Sequence, residues 1–375
     1  VLVVAAGAVA AGVLLLGDDD AGPPEGTLEV AGRADERIYD VAGSADGALY
    51  VAGRFTEIDG VAAERVARVD GDGRVDPAFD TSRGADDWVF AVAPAADGGA
   101  WIGGAFSTYG GEPAGGVARL RPDGSLDPAF TTGAGADDAV LALAPAADGG
   151  VWIGGAFSTY DGEPAPGIAR LGPDGSLDPS FDPGDGPDLP VYDLEEAPDG
   201  SVYVAGAFAR VDGTPAQRIV RLGADGRVDA DFDTSAGPNR SVADVELAGD
   251  GVLIAGNFST VGGANARGVA RLLADGSLDP DFDSSVGTDD EALALALTED
   301  GGVYLVGNFS TYDGVETGRL VRIRPDGRID NDFDTGGGTN DWIAGVALTE
   351  DGRVLIGGSF TRYGGEASTR LAVLG

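Results

Sequence analysis

The 375-residue chain contains no cysteine, no histidine, no methionine and no lysine. Without cysteine or histidine there are no disulfides, lipidated cysteines, thiol nucleophiles or Ser-His-Asp triads, and the usual zinc ligand sets are excluded. Chemistry is left to Asp, Glu, Arg, Tyr, Ser and Thr, and to hard cations held on oxygen. Positive charge is scarce. All 24 basic residues are arginines, set against 63 acidic ones, for a net charge of −39. Such a surface repels nucleic acid, which needs basic contacts to its phosphates, so no nucleic-acid partner is expected. Methionine is missing even at position 1, which leads us to expect further residues upstream.

What is abundant is glycine, 64 residues, with 43% hydrophobic residues, enough for a packed core. No collagen-like period is present, so the glycines are expected to mark turns.

Residues 1–16 (VLVVAAGAVAAGVLLL) carry no polar side chain and are followed by Asp18-Asp19-Asp20. This predicts a hydrophobic helix. We read residues 1–17 as a transmembrane anchor, or the remnant of a signal peptide, with 18–25 as a polar linker. Both readings place the rest outside the cytoplasm, and the lack of basic residues after Leu16 agrees.

The remainder repeats itself. Phe55, Phe106, Phe157, Phe208, Phe258, Phe309 and Phe360 are spaced by 51, 51, 51, 50, 51 and 51 residues. A glycine stands two residues before each and another five residues after. A second column holds Phe79, Phe130, Phe181, Phe232, Phe282 and Phe333. The two columns take 13 of the 14 phenylalanines, so phenylalanine reads as structural. Each copy contains four short β-like runs, in the second copy 89–93, 100–104, 116–120 and 125–130, separated by Gly or Asp-Gly. Seven such copies predict an all-β protein, a seven-bladed β-propeller with four-stranded blades spanning residues 26–375; a solenoid would need capping repeats. The last copy stops after its third strand. Gly26-Thr27-Leu28-Glu29 matches Gly124-Ser125-Leu126-Asp127, so the N-terminal strand is expected to complete the last blade, with Leu28 opposite Leu374. The Pro122-Asp123-Gly124 turn predicts Leu120 opposite Leu126 and a cross-strand Arg119–Asp127 ion pair, repeated around the chain.

The unit VWIGGAFSTYDGEPAPGIARLGPDGSLDPSFD (Val151–Asp182) resembles the bacterial delta-60 repeat family. The resemblance covers residues 26–375. It implies an extracellular or surface-exposed propeller and no particular activity.

Candidate functional residues come from departures from the repeat. Acidic pairs precede the innermost strands: Asp35-Glu36, Asp86-Asp87, Asp137-Asp138 and Asp289-Asp290, with Asn340-Asp341 in the seventh copy. Asp86, Asp137, Asp138, Asp289 and Asp290 are candidate ligands for a cation such as Ca²⁺, against the plainer reading that they cap turns. No other cofactor is expected. Trp88 and Trp342 fall in one column, with Arg37 between them around a closed ring and Asp341, Glu36 and Asp87 in the preceding column. These six residues are expected to form an arc at the channel mouth, suited to a sugar ring or a cationic peptide through stacking, cation–π contact and hydrogen bonds. The alternative for the tryptophans is a buried plug between blades. Glu195-Glu196 is the one acidic pair inside an innermost strand and the best candidate for a carboxylate glycosidase or lyase. The expected function is a monomeric, membrane-anchored or secreted binding or sensory propeller without catalysis. Its partner would be an extracellular protein, peptide or glycan met on the long-loop face.

Overall fold

A computed structural model describes residues 26–44, 47–80 and 82–375. The expected anchor, its helix and the linker at 1–25 lie outside the described residues. Among the described residues every regular element is a strand, and no helix is long and apolar enough to cross a membrane.

Each of the seven repeats builds one antiparallel sheet from three consecutive strands. In the second repeat these are Val89–Pro94, Ala100–Gly104 and Val117–Leu120. Val92 lies opposite Ile102, and Ile102 opposite Ala118. The apolar run of the middle strand is buried on both faces, as expected for a sheet stacked between two others. The first strand is joined to the second by an Asp-Gly hairpin. Ala95 and Gly99 close it at 2.9 Å, and Gly98 at φ +81° takes the left-handed position that its missing Cβ permits. The second-to-third connection carries its own two-residue hairpin, Thr108–Tyr109 with Glu112–Pro113.

The fourth strand departs from expectation. Among the described residues a four-stranded sheet occurs only in the last repeat. Elsewhere the fourth run makes a single bridge, such as Leu120 with Leu126, and stops. The reason is the aspartate that follows. Asp127 takes one ladder bond from its amide to the Arg119 carbonyl. Its Oδ1 then accepts the Ala129 amide at 3.0 Å, forming an Asx turn that ends the strand. In the last sheet Leu28–Ala31 pairs with Leu371–Leu374, and Leu28 lies opposite Leu374.

The first strand of each sheet packs against the first strand of the next, and Ile343–Leu348 of the seventh packs against Ile38–Gly43 of the first. Between neighbouring sheets lie successive apolar clusters built alike. Phe130 meets Trp101 edge to face at 4.9 Å, and Arg119 covers the same indole at 5.4 Å. Trp152, Tyr203 and Tyr304 repeat the arrangement with Phe181, Phe232 and Phe333. Both phenylalanine columns are therefore core. The Arg119 guanidinium is shared between Asp127 at 2.8 Å and the hairpin residue Asp97 at 2.6 Å. The aromatic contact contributes about 0.5–1.5 kcal/mol beyond its burial, and the partly exposed ion pairs no more than about 1 kcal/mol each.

Candidate functional site

The repeated glycine two residues before each first-column phenylalanine positions the residue that opens the first strand. At Gly104 a Cβ would stand 2.1 Å from the Trp88 carbonyl oxygen, and at Gly358 a Cβ would stand 2.4 Å from that of Trp342. Without the methyl group the chains close up, and the next amide bonds back: Ala105 to Trp88 at 2.9 Å and Ser359 to Trp342 at 3.0 Å. Arg54 bonds to the Arg37 carbonyl in the same way, at 2.8 Å. A preceding aspartate fixes the other side: Asp87 Oδ1 accepts the Trp88 amide at 2.8 Å, and Asp341 Oδ1 the Trp342 amide at 2.9 Å. Trp88 and Trp342 are thus presented by one backbone device, and Arg37 shares its glycine half through Gly53.

The structure brings these three residues into one region. The Arg37 guanidinium lies 6.0 Å from the centre of the Trp342 ring system. Trp88 lies 6.3 Å from Tyr39 and meets Phe90 edge to face at 6.0 Å. Tyr39, Phe90 and Ala344 form a buried floor, flanked by Ala139 and Leu141. Both tryptophans are half-buried, so neither is a sealed plug. Arg37, Glu36, Asp87 and Asp341 are exposed around them. The Tyr39 hydroxyl is buried beside Arg54. Burial pushes its pKa up, and the nearby Arg54 and Arg37 charges oppose the rise.

Sequence reasoning missed three members of this site. The Arg54 guanidinium sits 4.5 Å over the Trp88 ring, closer than Arg37 to Trp342. It breaks a column that otherwise reads Ala105, Ala156, Ala207, Asn257, Asn308 and Ser359. Tyr39 and Phe90 belong to the position two residues into the first strand. Phe90 is the one phenylalanine outside the two structural columns, and that was the available signal. At the strand-opening position the other repeats carry Ala139, Pro190, Ser241 and Glu291.

The five candidate cation ligands are not brought together: among the described residues no group of three or more carboxylates could hold a metal ion. Their oxygens are already engaged. Asp86 accepts the Ser107 and Thr108 amides and the Ser107 hydroxyl, and Asp137 and Asp289 do the same with Ser158-Thr159 and Ser310-Thr311. The Thr159 amide, with Ser158, holds the Asp137 carboxyl down to about 2. Asp138 and Asp290 each accept the following amide, and Asp290 also the Asn308 side chain. The turn-capping alternative describes their contacts.

Glu195 and Glu196 do not face each other across a cleft. Glu196 accepts the Ala147 amide of the preceding repeat's hairpin at 2.9 Å. Glu195 is buried, in the company of Asp193, Asp244 and Glu246.

No curated protein matches the chain in sequence. Solved structures share its fold. The WD40 β-propeller domain of Doa1 superposes with a TM-score of 0.62 at 14% identity, over 94% of this chain and 96% of that one. U3-55K gives 0.59 at 13% identity, over 94% and 99%. The extracellular domain of the putative hybrid two component system BT3049 from B. thetaiotaomicron gives 0.54 at 11% identity, over 92% of this chain and 42% of that one. The family model described as a β-propeller domain of unknown function (DUF5122) matches seven segments, 44–79, 101–130, 146–181, 197–232, 249–282, 298–333 and 349–372; the chain belongs to that β-propeller family.

Proposed function

We propose that the chain is a non-catalytic, glycan-binding propeller, a closed ring of seven blades carried outside the cytoplasm by its apolar N-terminal segment. The observation that carries this reading is the pair of arginine–indole contacts, Arg54 on Trp88 and Arg37 on Trp342, gathered over the Tyr39–Phe90 floor in one part of an otherwise regular repeat. Half-buried indoles offer apolar faces to the C–H side of a sugar ring. The guanidiniums donate to hydroxyl groups, and Glu36, Asp87 and Asp341 accept from them. A ligand rich in both donors and acceptors uses all of these groups; a purely cationic peptide would meet two arginines. Ring closure rests on the pairing of Leu28–Ala31 with Leu371–Leu374 and on the contact between the first strands of the first and seventh repeats. Display outside the cytoplasm rests on the apolar run of residues 1–16 and the lack of basic residues just after it.

The test is a titration of the full chain with neutral oligosaccharides, following tryptophan fluorescence, since Trp101 and Trp152 are buried and only Trp88 and Trp342 are partly open. We expect saturable quenching or enhancement that Trp88→Ala/Trp342→Ala abolishes and Arg54→Ala weakens. Binding with unchanged affinity in the double variant, or signals from peptides and none from glycans, would overturn the reading.

A further inference from the structure

The position three residues into the first strand is Ala or Gly in four repeats and Asp in three: Asp40, Asp193 and Asp244. Each aspartate accepts an amide from the first strand of the next repeat, an amide directed away from its own sheet. Asp40 takes Val92 at 2.8 Å, Asp193 takes Val245 at 2.8 Å and Asp244 takes Leu295 at 2.6 Å. This is a structural clip between neighbouring sheets.

Two residues further on, five repeats carry alanine, Ala42, Ala93, Ala144, Ala296 and Ala347. The fourth and fifth carry Glu195 and Glu246. Both are buried, 3% and 4% exposed, and each leaves its Oε2 without a partner; Asp244 leaves its Oδ1 so as well. The Asp193 and Asp244 carboxyls lie close enough to act on each other's ionisation. The strands packed against this pair of first strands, Val140–Pro145, Val151–Gly155, Val202–Gly206, Gly251–Gly256 and Ala292–Leu297, contribute one titratable side chain, Tyr203. On these two first strands themselves, Val191–Glu196 and Val242–Ala248, also stand Tyr192, near Glu291, and Glu196. The charges that act on the four carboxyls are all acidic. An interior that needed only packing is served by alanine at this position in the other five repeats.

We propose that Asp193, Glu195, Asp244 and Glu246 form a proton-linked clasp, which joins the first strands of the fourth, fifth and sixth repeats while protonated and loosens that seam on ionisation. Four carboxylates cannot share a dry site with no arginine among the groups that act on them, so their protons are part of the packing. Burial pushes Asp193, Glu195 and Glu246 well above the usual carboxylate range, and Asp244 up to about 7. The folded state therefore holds these protons more tightly than the unfolded chain. The clasp is complete at mildly acidic pH and is lost as pH rises through the folded-state values. This is independent of the glycan reading, since it uses other residues in other repeats.

The test is amide hydrogen exchange on the full chain between about pH 5 and about pH 9, corrected for the intrinsic pH dependence of exchange. Protection at Val245 and Leu295 is expected to fall by about tenfold or more, while amides of the second and third repeats change little. Glu195→Gln/Glu246→Gln is expected to remove most of that fall. Unchanged protection at the two amides, an equal fall in all seven repeats, or the same fall in the glutamine variant would overturn the proposal. Should that variant not fold, infrared difference spectra of the unaltered chain decide. A protonated carboxyl carbonyl band present at the lower pH and lost at the higher supports the clasp, and its absence at both refutes it.

Discussion

The Tyr363 hydroxyl donates to the carbonyl oxygen of Gly26, 337 positions earlier in the chain, at 2.7 Å. In the second, third and sixth repeats the corresponding tyrosines, Tyr109, Tyr160 and Tyr312, bond to Gly124, Gly175 and Gly327, each 15 positions later. The segment that begins at Gly26 thus occupies, for the last repeat, the place that each repeat's own tail occupies elsewhere. Tyr363→Phe is expected to lower stability by about 1 kcal/mol, read as a shift in denaturant midpoint. Deleting residues 26–30 is expected to bare the Leu371–Leu374 edge and raise light scattering. A deletion variant that scatters no more light and is equally stable would show that the last sheet does not depend on this strand.

The glycine behind each strand-opening residue makes a separable prediction. Gly104→Ala would place a methyl group 2.1 Å from the Trp88 carbonyl oxygen. It is expected to cost about 1–3 kcal/mol and to move the emission of Trp88. Gly111→Ala meets nothing within 4 Å, but Gly111 holds φ at +84°. That substitution is expected to cost about 1–2 kcal/mol through backbone strain alone and to leave the tryptophan emission unchanged.

The two kinds of aspartate and glutamate titrate in opposite senses. Asp137, held down to about 2 by the Thr159 amide and the Ser158 hydroxyl and amide, contributes stability that is fully present above the ordinary carboxylate pKa and is lost as pH falls from there through the folded value of about 2. Ser158→Ala is expected to raise the Asp137 pKa in a carbon-detected NMR titration; an unmoved pKa would mean that the hydroxyl does not contribute.

For the buried Glu246 the sign reverses. Its pKa is raised by burial first and by Glu195 and Asp244 next, so its contribution is most favourable at acid pH and declines as pH rises. Glu246→Gln is expected to stabilise the chain by about 1 kcal/mol or more near pH 8, with the gain shrinking toward pH 5. A gain independent of pH would point to packing instead of ionisation.

At a net charge of −39 the folded chain repels itself. The melting temperature is expected to rise with NaCl from low to physiological ionic strength, since a Debye length near 8–10 Å screens such long-range repulsion. The repeated Arg119-type ion pairs are short and partly buried and respond less. A flat response would mean that local pairing already neutralises the field.

The period of about 51 residues, the two phenylalanine columns and the Asp-Gly hairpins were legible in the sequence, because each depends on contacts within one repeat or between copies of it. The opposition of Leu120 to Leu126 and the Arg119–Asp127 pair were legible for the same reason: a three-residue turn determines which side chains face each other. The gathering of Trp88, Trp342 and Arg37 could also be anticipated, once the seventh repeat was placed beside the first.

Tertiary structure decided the rest. The fourth strands end after one bridge because Asp127 and its counterparts prefer an Asx turn to a ladder, a competition between two local hydrogen-bonding choices that composition does not resolve. Arg54 joins the site because the end of a second strand stands beside the start of the next repeat's first strand, a relationship across sheets. Glu195 belongs with Asp193, Asp244 and Glu246, and not with its sequence neighbour Glu196, because alternate residues of a strand point to opposite faces. Sequence spacing thus determined which residues recur. Which of the exceptions meet, and whether they meet in water or in the dry interior, was decided by how the seven sheets pack.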